Sequence, residues 1–251
     1  MKSMKILLDK NNVLLVEVNG KKYRSPTLSL SADILRIDSW QRIPTWDTKQ
    51  QYNDNLFRGK LNISVKDGKL VVVNELPIEY YLRGLWEVSN TDIDEKVKTI
   101  IIAARSYARF YIDPKNRKYG TTLYDGSDDP DSFQRYLGYG YESRSPRVTA
   151  LVDMTKWLVI THSKKIIKAW YFSSSDGKTL SYQDYCRLNG NTKCDDIAYL
   201  QSVDDPGWIG KTRLGHGVGI SWIGATYFAK EWWNYKKIIQ YYLKWVEIEK
   251  K

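Results

Sequence analysis

The first third of the chain is patterned as β-strands. Val13–Val18 runs into Asn19-Gly20 and returns through Lys21–Arg24. Asn-Gly accepts the positive φ values of a two-residue turn, so this stretch reads as a β-hairpin. Gly59–Val65, Asp67-Gly68 and Leu70–Val73 repeat the arrangement. The period then changes. Pro77 suits the first turn of a short helix carrying Tyr80, Tyr81 and Leu82, and Gly84 ends it. Asp92 and Glu95 have capping-box spacing ahead of a longer helix, with Asp92 in the capping role. Ile93, Val97, Ile100, Ile101, Ala104, Ala108 and Tyr111 recur at helical spacing behind it, and that stripe is expected in the core.

Residues 113–147 are polar and turn-rich, which predicts a long loop with little regular structure. Strands return at Lys156–Ile160 and Lys165–Phe172, flanking a turn over Thr161–Lys164, and 173–219 reads as irregular. A helix or pair of helices closes the chain over about 220–246, carried by Ile223–Ala229 and Tyr235–Leu243. Strands early, a central helix, strands again and helices late make an α+β protein, not a doubly wound sheet. No repeat or linker interrupts the 251 residues, so a single domain over 1–251 is expected.

Composition excludes several classes. Hydrophobic residues make up 42% and charged residues 27%, an ordinary globular balance and not that of a disordered chain. No apolar run approaches the roughly 18 residues that span a bilayer. Met1–Lys10 begins with positive charge, but its apolar stretch stops after three residues, unlike a signal peptide. The expectation is therefore a cytosolic protein or one whose targeting segment is absent from this chain. The net charge of +10 favours an anionic partner. Nucleic acid, acidic membrane and acidic wall polymer all qualify by sign; the basic residues form no stripe or module that reads nucleic acid, so none is expected. Aromatic residues reach 14%, mostly core, with an excess that suits stacking on sugar rings. Cys186 and Cys194 sit in a polar segment and either close a small disulfide loop or remain thiols. With two histidines and no ligand spacing, neither a metal site nor a cofactor is expected.

Three segments offer chemistry. Glu87 lies among Leu85, Trp86 and Val88. A carboxyl held against apolar groups keeps its proton near neutral pH and becomes a general acid; the alternative is a surface acid near a helix start, which composition by itself favours. Gly215–Ser221 is a glycine-rich loop around His216 that enters a helix, without the ending of a P-loop. Ser173–Thr179 is a hydroxyl-rich turn after a strand, and no nucleophile-elbow pattern supports a catalytic triad with His216.

In order along the chain, these segments resemble the SpoIID/LytB domain of bacterial sporulation and cell-wall proteins. Phe57-Arg58-Gly59 is similar to its Tyr-Arg-Gly strand start, and Val73–Gly84 to its Asn-x-Leu-x-x-Glu-x-Tyr-Leu-x-Gly segment. Glu95–Lys98 followed by Ala103–Ala108 resembles its Glu-Ala-Leu-Lys and Ala-Ala-Arg-Thr-Tyr-Ala helix. Gln134–Gly138, Ser173–Thr179, Tyr199–Pro206 and Gly215–Ala225 complete the set. The resemblance covers about 55–245. It implies N-terminal hairpins over about 12–73, a catalytic core over about 74–246, and helices around an elongated substrate cleft.

The resemblance also implies a lytic transglycosylase acting on peptidoglycan, outside the cell or in its envelope. One glutamate lies 18 residues before the arginine of the Ala-Ala-Arg helix, which selects Glu87 ahead of Arg105. A single carboxyl would protonate the glycosidic oxygen and then accept a proton from the muramoyl 6-hydroxyl. Asp125, Asp128, Asp129, Asp204 and Asp205 are candidate bases for an inverting hydrolase instead. Arg105, Tyr107, Gln134, Tyr136, Ser174, Ser175, His216 and Ser221 are the candidate glycan-binding residues; Arg105 could equally be a structural partner of Glu79 or Glu95. The sequence departs from the family at Val88-Ser89 in place of Met-Pro, at Asp176 in place of glycine and at Trp222 in place of glutamine. The same family includes enhancers of wall amidases, so a glycan-binding module that partners an amidase or another envelope protein is the alternative.

Overall fold

The computed structural model describes residues 3–45, 47–191 and 193–251. Met1 and Lys2, the start of the segment read for a leader, lie outside the described residues. The architecture is mixed α+β: several small sheets and seven α-helices among the described residues. The chain divides into two compact units. One holds the residues up to Gly84 with Leu137–Ser143, and the other holds Leu85–Tyr136 with Arg144–Lys251.

The first unit is built from strands. β1 (Lys5–Leu8), β2 (Leu14–Val18) and β3 (Lys21–Ser25) form an antiparallel sheet. β4 (Thr27–Ser31), β5 (Leu35–Arg36), β6 (Leu56–Phe57), β7 (Lys60–Lys66) and β8 (Lys69–Glu75) follow; β4, β7 and β8 make a second sheet, and β5 pairs with β6. Both hairpin turns have the backbone that their sequences demand. Val18 faces Lys21 across Asn19 and Gly20 at φ 50° and 75°, and Lys66 faces Lys69 across Asp67 and Gly68 at φ 51° and 70°. Leu14 and Val16 of β2 and Ile63 of β7 form a small core, covered by Ile6, Leu28, Leu30, Val65 and Val72. The three-residue apolar stretch near the N-terminus lies in the edge strand β1, where Ile6 is half-buried opposite Val16 and Leu7 and Leu8 are exposed. α1 (Ile78–Arg83) starts after Pro77 and is capped by Gly84.

The second unit surrounds α2 (Asp94–Ile112), which packs against α4 (Pro146–Met154), β9 (Leu158–His162), β10 (Lys165–Ile166), α6 (Trp222–Lys230) and α7 (Tyr235–Tyr242). β11 (Tyr171–Phe172), α5 (Tyr182–Leu188), β12 (Ile220–Ser221) and β13 (Glu247–Lys250) complete this unit, whereas α3 (Tyr139–Arg144), just before α4 in the chain, belongs to the first unit but for its last residue. The expected stripe of α2 is buried from Val97 to Tyr111, with Ile93 only half-buried ahead of the helix, and the burial continues right around the helix from Thr99 to Ser106. Ser106 Oγ donates to the carbonyl of Ile102 and accepts from the Ile160 amide, which fixes β9 against the helix.

Several expectations need correcting. The cap of α2 is Ile93, without a side-chain bond; Asp92 accepts instead from the Ser89 amide and pairs with Lys96. Residues 113–147 are irregular only to Gly138, because α3 and the start of α4 follow. The single strand expected over Lys165–Phe172 is two: β10 pairs with β9 in the sheet β10-β9-β13, whereas β11 pairs in parallel with β12. The stretch 173–219 contains α5, whose Cys186 is bonded to Cys194.

Candidate active site

Glu87 sits in the second unit, in the segment that leads from Leu85 to α2. That segment runs antiparallel to residues 134–136. Leu85 and Tyr136 form a bridge, and the Trp86 amide donates to the Arg135 carbonyl at 2.9 Å. The Arg135 amide, facing back, donates to Glu87 Oε1 at 2.9 Å. Alternation along this extended stretch sends Gln134 and Tyr136 inward, 1% and 7% exposed. Arg135 lies over the Trp86 ring at 4.2 Å. The pair 85–87 and 134–136 is therefore a short ladder whose product is the position of one carboxyl.

Glu87 is 8% exposed. Burial pushes its pKa from 4.5 up to about 7, opposed by the bond from the Arg135 amide and the charge of Arg135. Burial disfavours the charged form, and one amide bond recovers only part of that cost. Near neutrality the carboxyl is thus divided between acid and base.

Tyr107, on α2, lies close enough to feel the charge of Glu87; its own phenol is pushed up chiefly by burial, and further by Tyr111. Its ring meets those of Tyr111, Phe133 and Tyr171 at centroid distances of 5.0, 5.3 and 6.3 Å. Gln134 Nε2 donates to the Tyr171 hydroxyl at 2.7 Å and to the Ala104 carbonyl at 3.3 Å. The structure thus gathers Glu87, Tyr107, Gln134 and Tyr136 around the ladder and the exposed-to-buried margin of α2.

The remaining candidates have different surroundings. Arg105 is fully buried, and its guanidinium donates to the carbonyls of Leu158 and Val152, tying α2 to β9 and α4. His216 accepts from the Val218 amide at Nδ1 and donates from Nε2 to the Tyr171 carbonyl, so the neutral ring is the one that fits. Burial drives its pKa down to about 4. The Ser221 hydroxyl caps α6 by accepting from the Gly224 amide. Ser175 donates to Asp205, a carboxylate with no exposure that also receives the Tyr242 hydroxyl. Ser174 pairs with Leu214 through both backbone groups, and its buried hydroxyl has no hydrogen-bond partner among the described residues. His216 reaches the Glu87 neighbourhood through Tyr171, which it shares with Gln134.

Sequence reasoning missed Lys118, Lys168, Phe133 and Tyr171, all of which border this aromatic group. Tyr111 was legible only as core. The aromatic excess was the one available signal, and it does not say which rings meet. Among the described residues no group of three or more His, Cys, Asp or Glu is placed to hold a metal ion. Nor, among the described residues, is any helix long and apolar enough to cross a membrane.

Residues 66–162 match the family model described as SpoIID, stage II sporulation protein. The match contains Glu87, Arg105, Tyr107, Gln134 and Tyr136; Ser174, Ser175, His216 and Ser221 lie beyond it. An uncharacterized protein of Brachyspira hyodysenteriae (strain ATCC 49526 / WA1) is 28% identical over 130 residues, 51% of this chain and 34% of that protein. The match spans about a third of the length of that curated relative.

Proposed function

We propose that this chain, whose residues 66–162 match the SpoIID family model, remodels bacterial cell wall as a lytic transglycosylase, with Glu87 as its single acid and base. The observation that carries the reading is the state of Glu87: buried, tethered through Oε1 to the Arg135 amide, and raised to a pKa of about 7. Among the described residues Oε2 has no hydrogen-bond partner, which leaves it for the substrate.

The protonated carboxyl gives its proton to the glycosidic oxygen between the muramoyl and glucosaminyl residues as the bond from the muramoyl C1 breaks. The muramoyl 6-hydroxyl then attacks C1, and its proton passes to the Glu87 carboxylate. A 1,6-anhydro end forms, no water is consumed, and the acid is regenerated. A pKa near the working pH serves both half-steps, since the group must donate and then accept. The substrate's own N-acetyl group can stabilise the positive charge at C1, so a second carboxylate is dispensable. Two of the five candidate bases are occupied in keeping with this: Asp205 is buried between two hydroxyl donors, and Asp125 pairs with Arg117. The aromatic rings around Tyr107 suit the flat faces of sugars, and the net charge of +10 suits an acidic wall.

The test is incubation of purified peptidoglycan with wild type and Glu87→Gln, followed by mass spectrometry of soluble fragments. Fragments from wild type alone support the proposal. Sacculus binding by both proteins with fragments from neither replaces it with the glycan-binding module that partners an amidase.

A further inference from the structure

Two lysines beside the Glu87 neighbourhood have no acid paired with them among the described residues. Lys118 Nζ lies 5.7 Å from the Tyr111 ring centroid and 5.8 Å from that of Phe133. Lys168 Nζ lies 5.5 Å from the same Tyr111 ring and 4.2 Å from that of Trp170. Neither forms a salt bridge among the described residues, although other lysines of this unit do: Lys96 with Asp92, Lys98 with Glu95 and Lys164 with Glu247. The hydrogen bonds of Lys118 go to the neutral Tyr107 hydroxyl and the Ser132 carbonyl.

We propose that Lys118 and Lys168 form a subsite that binds a carboxylate of the ligand, beside the aromatic group that borders Glu87. Two like charges converging on one ring repel each other, and an anion between them removes the repulsion. Lys168 is half-buried, and the Trp170 and Tyr111 rings displace water from its ammonium, which strengthens a charge–charge contact there; Lys118 stays exposed beside the Tyr111 ring. The two lysines differ accordingly: partial burial of its ammonium holds Lys118 below the usual range, and deeper burial brings Lys168 down to about 8, with the help of Lys118's charge. Tyr107 links the subsite to the acid, since its hydroxyl accepts from Lys118 while its ring lies in the field of Glu87.

The identity of the ligand rests on the glycan reading above. Wall glycan offers carboxylates from two sources: the lactyl acid of a muramoyl sugar without peptide, and the acids of an attached peptide. The experiment separates them. Isothermal titration of the full chain uses three disaccharides of N-acetylglucosamine and N-acetylmuramic acid: free lactyl acid, neutral lactyl amide and lactyl-linked dipeptide. Wild type is compared with Lys118→Met combined with Lys168→Met, which keeps unbranched stems over the rings. Wild type is expected to bind one acid about tenfold or more tightly than the amide, the scale of a charge-assisted hydrogen bond. That ratio is expected to fall to about one in the variant.

A preference for the free lactyl acid assigns the subsite to the sugar, and a preference for the dipeptide assigns it to the stem. A ratio unchanged in the variant overturns the subsite. D-lactate is titrated in parallel, with the lysine side-chain NMR signals as readout. If lactate moves the signals of both lysines but no disaccharide binds, the subsite stands and the glycan reading fails. If neither lactate nor any disaccharide moves them, the lysines only stack on their rings and the proposal is wrong.

Discussion

Replacing Glu87 by Gln should stabilise the protein, and only at pH values where the carboxyl is charged. Gln keeps the oxygen that accepts from the Arg135 amide and nearly the same shape, so the change isolates the burial of charge. The folded-state pKa is raised from 4.5 to about 7. At about 1.4 kcal/mol per pH unit, this amounts to about 3 kcal/mol. The sign follows from proton binding. Between pH 4.5 and 7 the folded protein holds a proton that the unfolded chain has released, so wild type loses stability as the pH rises through that window. Below pH 4.5 both forms are neutral at this position and the two proteins should melt alike. At pH 8 to 9 Glu87→Gln should melt higher, by about 6–12 °C for a chain of this size. Differential scanning calorimetry from pH 4 to 9 measures it, following the transition of the unit that contains Leu85–Tyr136. A melting difference that is constant with pH, or a variant less stable than wild type at pH 9, would refute the claim that Glu87 is held in a raised-pKa environment.

His216 should show the opposite slope. Its pKa falls from 6.5 to about 4, so its contribution is complete above pH 6.5 and lost as the pH drops towards 4, by about 3 kcal/mol. In wild type the two groups largely offset each other between pH 4.5 and 6.5. Denaturant midpoints of His216→Gln should therefore rise as the pH falls, and those of Glu87→Gln should drop; parallel curves for both variants would contradict this. Tyr242→Phe removes a donor from the fully buried Asp205 and should cost about 2–3 kcal/mol in chemical denaturation, with a loss under about 0.5 kcal/mol counting against it. Gly219→Ala should leave little folded protein, because Gly219 has φ 81° and an added Cβ would run into the Trp170 carbonyl; a near-normal melting curve would show that the backbone gives way.

Legibility in the sequence followed how far each residue's behaviour is decided locally. The turns at Asn19-Gly20 and Asp67-Gly68 could be read because positive φ restricts the choice of residues, and the backbone has the values expected. The stripe of α2 could be read by its period, but not the burial of Thr99, Arg105 and Ser106 on its other side, which depends on β9 and α4 arriving there. α4 and α5 were missed for different reasons. α4 begins with proline inside a polar stretch, although proline is well suited to a first turn. α5 buries only Cys186 and so shows no apolar stripe. Glu-Ile-Glu-Lys at 247–250 looks like a charged tail; it is a strand because β9 offers it an edge.

The candidate site divides in the same way. Glu87 drew notice by its apolar flanks, but composition by itself favoured a surface acid, and only the resemblance, through the 18-residue spacing to Arg105, singled it out; the structure buries it. Serines gave less. A Ser that caps a helix, such as Ser221, and one that holds a buried carboxylate, such as Ser175, have the same appearance in a sequence as one that touches a ligand. The lysines over Tyr111 were unreadable, since their isolation from acids is a property of three-dimensional neighbours.

The measurement that tests the account most directly is digestion of peptidoglycan by the wild-type protein in water enriched in oxygen-18, read by mass spectrometry of the muramoyl ends. Glu87 acting as the single acid and base predicts fragments lighter by one water than hydrolysis products and free of oxygen-18. Reducing ends that carry oxygen-18 would mean that water attacks C1, and the proposed mechanism would be wrong.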